Sequence, residues 1–178
     1  MGANSRTRRR GAATGKSKDV FATTSVVRDA ARGQTYVLEV DARTSKRLSR
    51  IRQKNTAPEV IVRRALFRVG VRFRLEARDL PGSPDIVNRK ARLAIFVHGC
   101  FWHAHSKCPK ATVPKRNRAF WLAKLEANRA RDARARGELE ALGFRVIVVW
   151  QCETEDAPAL DAMLREALSP LAFDCTTR

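Results

Sequence analysis

Long apolar runs, cysteines and acidic side chains are all scarce in this chain, and each shortage removes a class of protein. No stretch approaches the ~20 consecutive apolar residues of a bilayer-spanning helix, so no membrane association is expected. Four cysteines in 178 residues do not make a disulfide scaffold. The basic start, MGANSRTRRRGAATGKSK, has no apolar segment behind it and so lacks the pattern of a signal peptide. Arg6 stands where a myristoylation signal carries Ser or Thr. A cytoplasmic chain with reduced thiols is expected. The shortage of acids is the most informative: 18 Asp plus Glu face 36 Lys plus Arg, a net charge of +18. Bias toward Arg in a GC-rich genome accounts for part of that surplus. The rest points to a polyanion, most simply nucleic acid, because cationic side chains displace condensed counterions from a phosphate backbone.

What is present is enough for one globular domain. Hydrophobic residues make up 44% of the chain, sufficient for a core without staples at this length. Residues 1–40 are rich in Gly, Ser, Thr, Ala and Arg without a sustained period, and read as a flexible basic arm with at most a short strand at Thr35–Val40. RTSKRLSRIRQKN then sets Lys and Arg around Leu48 and Ile51, as in a short basic helix or a solvated linker. Thr56-Ala57-Pro58-Glu59 is a capping box, and Val60, Leu66 and Phe67 give the helix behind it an apolar stripe ending before Gly70. Val71–Leu75 alternates as a strand, LPGSPD turns, Asp85-Ile86-Val87 opens a second strand, and Leu93–Val97 returns as a buried third. Asn117 to about Leu142 reads as one long helix with Phe120, Trp121, Leu125, Leu139 and Leu142 inward and Gly143 as its C-cap. Phe144–Trp150 is a further buried strand, Ala157–Leu168 a last helix, and residues 171–178 a tail. Together these make an α/β fold with a central mixed sheet flanked by helices.

HGCFWHAHSKC, residues 98–108, holds all three histidines, two of the four cysteines and one of the three tryptophans. Cys100, His105 and Cys108, joined by Cys152 just after a strand, compose a Cys₃His set, which suits a closed structural zinc site. Free buried thiols or a Cys100–Cys108 disulfide are the alternatives. His98 and His103 are left over. Beside them, Pro84-Asp85 followed by a hairpin and a buried strand is how a restriction-endonuclease core presents its first metal-binding carboxylate. The second strand there carries Glu/Asp-x-Lys, whereas this chain has Phe96-Val97-His98.

LPGSPD, FVHGCFWH, NRAFWLAKLEANRARD and GFRVIVVWQCE, in that order from about Ser45 to Glu153, resemble the very-short-patch repair (Vsr) mismatch endonucleases. The resemblance implies a restriction-endonuclease-like core spanning residues 41–170 and a bacterial protein, nucleoid-associated when on DNA. It implies Mg²⁺ held by Asp85 and the main-chain carbonyl of Val97, which explains the missing Glu-x-Lys; the family usually has Thr where Val97 stands. His103 corresponds to the general base, a task suited to an imidazole, and His98 to a group that positions or polarises the scissile phosphate. Glu59 and Asp132 match supporting acids, although Glu59 also caps a helix and Asp132 could serve as an ion-pair partner among the arginines. The zinc ligands Cys100, His105, Cys108 and Cys152 match too, with one extra residue before Cys108.

By the same resemblance Phe101, Trp102 and Trp121 wedge beside a mispair, where unstacking is cheapest and aromatic stacking returns about 1–3 kcal/mol per base. Core packing is the other reading of Trp121. Leu48 would enter the minor groove while Lys46, Arg47 and Arg50 grip phosphates. The implied activity is Mg²⁺-dependent nicking of one strand of double-stranded DNA 5′ to the T of a T·G mispair, which arises by deamination of 5-methylcytosine. Mismatch-repair proteins and a cytosine-5 methyltransferase are implied partners, and a monomer is expected because one T·G lesion has no two-fold symmetry. A silent zinc DNA-binding module and a nuclease of broader mismatch specificity are the competing readings; Asp85, His98 and His103 disfavour the first.

Overall fold

The computed structural model of the chain describes residues 22–29, 34–41, 43, 46, 49–52, 54–75 and 77–169. Four strands form the central sheet in the order β3 (Arg74–Leu75), β4 (Ile86–Asn88), β5 (Leu93–His98) and β6 (Arg145–Trp150). The first two pairings are antiparallel and β5–β6 is parallel, so the sheet is mixed as its sequence implies. A parallel pair needs a long crossover, and helix α2 (Arg118–Ala141) supplies it. Helices α1 (Ala57–Arg68) and α3 (Ala157–Leu168) complete the domain.

Period-two alternation along β5 divides the core. Leu93 and Ile95 join Val62, Leu66, Val149, Leu160 and Leu164 under α1 and α3. Ala94 and Phe96 face the other way, against Leu139, Phe144 and Val146. His98 follows in that second set, and so sits on the face covered by α2. Both α1 and α2 stop in the same way. Gly70 (φ +81°) and Gly143 (φ +78°) adopt the left-handed conformation that few L side chains tolerate. Val71 N–H then reaches Leu66 O at 2.9 Å, and Phe144 N–H reaches Leu139 O at 2.9 Å.

Three expectations are corrected. Phe67 is 81% exposed, because Val62, Ala65 and Leu66 hold the face of α1 that meets the sheet. Leu142 is 51% exposed: Leu139 takes the last inward position and the chain leaves the helix at Leu142. The short strand expected at Thr35–Val40 is present as β2 (Gln34–Asp41), but the stretch before it, expected to be aperiodic, supplies β1 (Ala22–Asp29), and the two pair as an antiparallel hairpin. The β-branched residues Thr23, Thr24, Val26 and Val27 favour that structure, but averaging the composition over forty residues hides it. Within the basic segment, Arg43, Lys46 and Arg50 are exposed and the Ser49 hydroxyl donates to Lys46 O at 3.0 Å. Arg47, Leu48 and residues 170–178, including Cys175, lie outside the described residues.

The LPGSPD turn needs its glycine. At Gly82 (φ +68°) a Cβ would stand 2.6 Å from the Ala135 Cβ and 3.2 Å from the Phe96 ring. Gly82→Ala therefore combines overpacking with a left-handed backbone and is expected to cost about 2–4 kcal/mol. A urea titration reads this directly; an unchanged midpoint would refute the close packing of the turn on α2.

Candidate active site and metal centre

β5 and β6 end side by side, with His98 opposite Trp150 in the parallel register. The His98 ring, 8% exposed, stacks on His103 with centroids 3.8 Å apart and planes within 10°. His103 Nδ1 meets Asp132 Oδ2 at 2.5 Å, so α2 holds the second imidazole from the side. Ala104 lies in the left-handed region (φ +49°), and the chain turns there between His103, which meets Asp132, and His105, which meets Cys152. Burial pushes the Asp132 carboxyl up, yet the hydrogen bond from His103 and the charges of His103, His98 and Arg131 outweigh it and hold the group below the usual carboxylate range. Asp132 is thus a carboxylate that accepts from His103 Nδ1–H, which turns Nε2 away from the acid.

His98 is pulled the other way. Burial first, then the neighbouring His103, lowers it to about 4 from 6.5. Between those values the unfolded chain binds the proton that the fold refuses, so stability is lost as pH falls from about 6.5 to 4. The loss from this one group is on the order of 3 kcal/mol. His98→Gln should flatten this part of the stability-versus-pH curve in urea melts, and a curve of unchanged slope would show that His98 is not the group responsible.

Asp85 opens β4 at the edge of this cluster, and its Oδ2 accepts from Val97 N–H at 2.7 Å. Burial raises its pKa, the Val97 N–H opposes that, and the facing Glu59 adds to it. A half-buried carboxylate so placed gains from a hard divalent cation, which the Val97–Asp85 corner fits by its oxygen chemistry. Glu59 is 6% exposed and accepts four hydrogen bonds: Thr56 Oγ1 at 2.8 Å and Thr56 N–H at 3.4 Å on Oε1, Asn55 N–H at 3.0 Å and Arg63 Nη2 at 2.8 Å on Oε2. The capping role expected of Glu59 is therefore real, and it coexists with a place beside Asp85.

Cys100, His105, Cys108 and Cys152 converge, their ligand atoms all within 4.8 Å of one another. One of these separations, Cys152 Sγ to His105 Nδ1 at 3.4 Å, matches the edge of roughly 3.5 Å expected of a tetrahedral zinc site with nitrogen and sulfur ligands. All three cysteines are unbridged, which removes the Cys100–Cys108 disulfide. The backbone N–H of Lys110 leads the influences that lower Cys108. Burial, then Cys100 and Cys108, push Cys152 up to about 12. Three sulfurs gathered with one imidazole are a donor set that fits a structural metal.

The expected wedge residues also assemble. Phe101, Trp102 and Trp121 meet pairwise at centroid distances of 5.1, 5.2 and 6.0 Å, all half-buried. Lys46 and Arg50 are exposed, with no tie to this cluster among the described contacts. Three neighbours went unnoticed in the sequence. Trp150, read as core, is half-buried and lies between the two centres, flat on His105 at 4.1 Å and edge-on to His98 at 5.4 Å. Asn128 Nδ2 donates to Trp102 O at 2.8 Å, one turn before Asp132 on the same helix face; that i, i+4 spacing could have flagged it. Tyr36 on β2 meets Phe120 edge-on at 5.5 Å, and Phe120 meets Trp121 at 5.3 Å. Among the described residues no helix is long and apolar enough to cross a membrane.

Comparison with known proteins places the chain in a family. The family model described as DNA mismatch endonuclease Vsr matches residues 37–110. The type II nicking enzyme V.XorIIP of Xanthomonas oryzae pv. oryzae is 53% identical over 69% of this chain and 90% of its own length. The type II nicking enzyme V.NmeAIP of Neisseria meningitidis is 46% identical over 72% of this chain and 90% of its own. The DNA mismatch endonuclease Vsr of Escherichia coli K12 is 40% identical over 71% of this chain and 81% of its own. With its paired histidines, its Cys₃His cluster and relatives this similar over most of their length, the chain belongs to the Vsr family of DNA endonucleases.

Proposed function

We propose that this endonuclease nicks one strand of duplex DNA 5′ to the T of a T·G mispair, with Mg²⁺ as cofactor. The observation that carries the reading is the position of His103. It follows Trp102 directly in the chain, stacks on His98 and is held by Asp132, so the aromatic cluster and the proton acceptor share one loop. A side chain wedged at a weakened base step therefore brings an oriented base to the backbone beside it. The single-strand cut is adopted from relatives named as nicking enzymes, and the mismatch from the relative named a mismatch endonuclease.

In this reading Asp85 and the Val97 carbonyl hold Mg²⁺, which supplies Lewis-acid stabilisation of the charge that builds on the phosphate. His103 Nε2 accepts a proton from the attacking water, and Asp132 steadies the imidazolium that results. His98, neutral over the working pH range, donates to or packs against the scissile phosphate without carrying charge. Glu59 holds its place beside Asp85. Cys100, His105, Cys108 and Cys152 hold Zn²⁺, which ties the loop to the end of β6. Lys46, Arg47 and Arg50 grip phosphates around Leu48 in the minor groove. The β4–β5–β6 core with Asp85 at its edge is assigned a restriction-endonuclease-like fold, with the catalytic domain at residues 41–170.

End-labelled duplexes differing in one T·G versus T·A pair test it, with Mg²⁺ supplied. A nick 5′ to the mismatched T, absent from the T·A duplex, is expected. Equal cutting of both would make it a nuclease of broader specificity, and tight binding without a nick would overturn the assigned chemistry.

A further inference from the structure

Arg63 has no place in the chemistry described so far, yet it lies against it. It sits one turn beyond Glu59 on α1, in the Glu-before-Arg order that favours an i, i+4 pair. The two side chains are only 15% and 8% exposed, which separates this pair from a surface ion pair of little consequence. Its guanidinium is spent inward: Nη2 donates to Glu59 Oε2 at 2.8 Å and Nη1 to Asn55 Oδ1 at 2.6 Å. Asn55 in turn donates its N–H to Glu59 Oε2 at 3.0 Å, closing a ring of contacts around one carboxylate oxygen. The Arg63 Nε is buried as well and meets no hydrogen-bond acceptor among the described residues. Arg63 is also close enough to Asp85 to pull against the charge of Glu59 there.

We propose that Arg63 is a positioning residue of the cleavage site: it fixes the Glu59 carboxylate next to Asp85 and supplies the positive charge that lets the two acids share one corner. This inference rests on the reading of Asp85 as the cation-binding residue. Two consequences follow. Glu59 keeps its orientation through Arg63, so loss of the guanidinium acts on turnover and leaves the DNA-binding surfaces intact. The corner also becomes more negative without Arg63, so a divalent cation binds it more tightly in the absence of DNA.

Arg63→Ala, Arg63→Lys and Asp85→Asn test this side by side in the full chain. The readouts are kcat and KM for T·G duplex nicking, Mn²⁺ binding by calorimetry, and thermal melting. Arg63→Ala is expected to lower kcat about 10–100-fold, the usual range for groups that orient metal-site residues, with KM nearly unchanged. Its Mn²⁺ affinity should rise by a few-fold, and Arg63→Lys, which keeps the charge, should return that affinity to the wild-type value and recover part of kcat. Should Arg63→Ala melt too early to assay, the Lys variant carries the test alone: normal Mn²⁺ affinity with reduced kcat supports the proposal. Unchanged kcat, a rise in KM alone, or unaltered Mn²⁺ affinity in Arg63→Ala overturns it. Asp85→Asn separates the two levels. If Asp85→Asn is inert while Arg63→Ala is normal, the inference fails alone; if Asp85→Asn still nicks, the assignment beneath it fails.

Discussion

Asp85→Asn is expected to nick T·G duplex about a thousand-fold more slowly while the metal-free protein becomes more stable. The two effects have one cause. Burial raises the Asp85 carboxyl, the Val97 N–H works against that, and the facing Glu59 adds to it. A carboxyl raised in the fold binds its proton more tightly there than in the unfolded chain. Stability therefore falls as pH climbs through the folded value, and at neutral pH the ionised Asp85 is a cost to the fold. Asn keeps an oxygen for the Val97 N–H and carries no charge, so it removes that cost along with the proposed cation ligand. Thermal melts in chelator should place Asp85→Asn above wild type at neutral pH, with the gap closing as pH drops below the ordinary carboxylate range. DNA binding, which the proposed function assigns to the basic surface and the aromatic cluster, should stay near wild type. Nicking within tenfold of wild type would remove Asp85 from the chemistry, and a lower melting temperature would remove the stored electrostatic cost. Sites that trade stability for activity in this way are common.

Much of this was legible in the sequence because the signals were local. The capping box at Thr56–Glu59, the continuous apolar run Leu93–Val97 and the single apolar stripe around Leu125 and Leu139 each specify one element within a few residues, and each lies where the pattern puts it. The clustered histidines were legible for the same reason: crowding in one window is visible without a fold. What could not be read depends on partners distant in the chain. Trp150 looks like any buried strand residue until the parallel register sets it opposite His98. Tyr36 reaches the aromatic cluster only because β2 packs near the start of α2. Phe67 belongs to the apolar stripe by spacing, but the sheet covers a narrower arc of α1 than the stripe offers. Arg63 is one arginine among many, and only its burial distinguishes it.

Loss of the Cys₃His centre is expected to have the opposite signature, removing nicking and mismatch preference together. The loop from Gly99 to Ala111 buries one residue fully, Cys100, so its order depends on being clipped to the end of β6 through Cys152. Apparent binding energies for structural zinc run to about 10–16 kcal/mol, far above the roughly 0.5–3 kcal/mol of an ordinary substitution. Cys152→Ser takes away the ligand that comes from outside the loop, and so the only one that ties it to the sheet. Phe101, Trp102 and His103 all ride on that loop, which is why recognition and proton transfer should fail as a unit. The sheet core around Leu66, Ile95 and Val149 is buried independently and should persist. Wild type is then expected to hold about one zinc per chain by elemental analysis, and Cys152→Ser to hold little. Limited proteolysis should cut the variant within residues 99–111 while far-UV circular dichroism stays largely native. Residual nicking should be lower by about a hundred-fold or more, with no preference left between T·G and T·A. A Cys152→Ser protein that loses its zinc yet keeps its protected loop and its mismatch preference would show that the loop is held by packing on Trp150 and Asn128 alone, and the metal would then have no structural part in recognition.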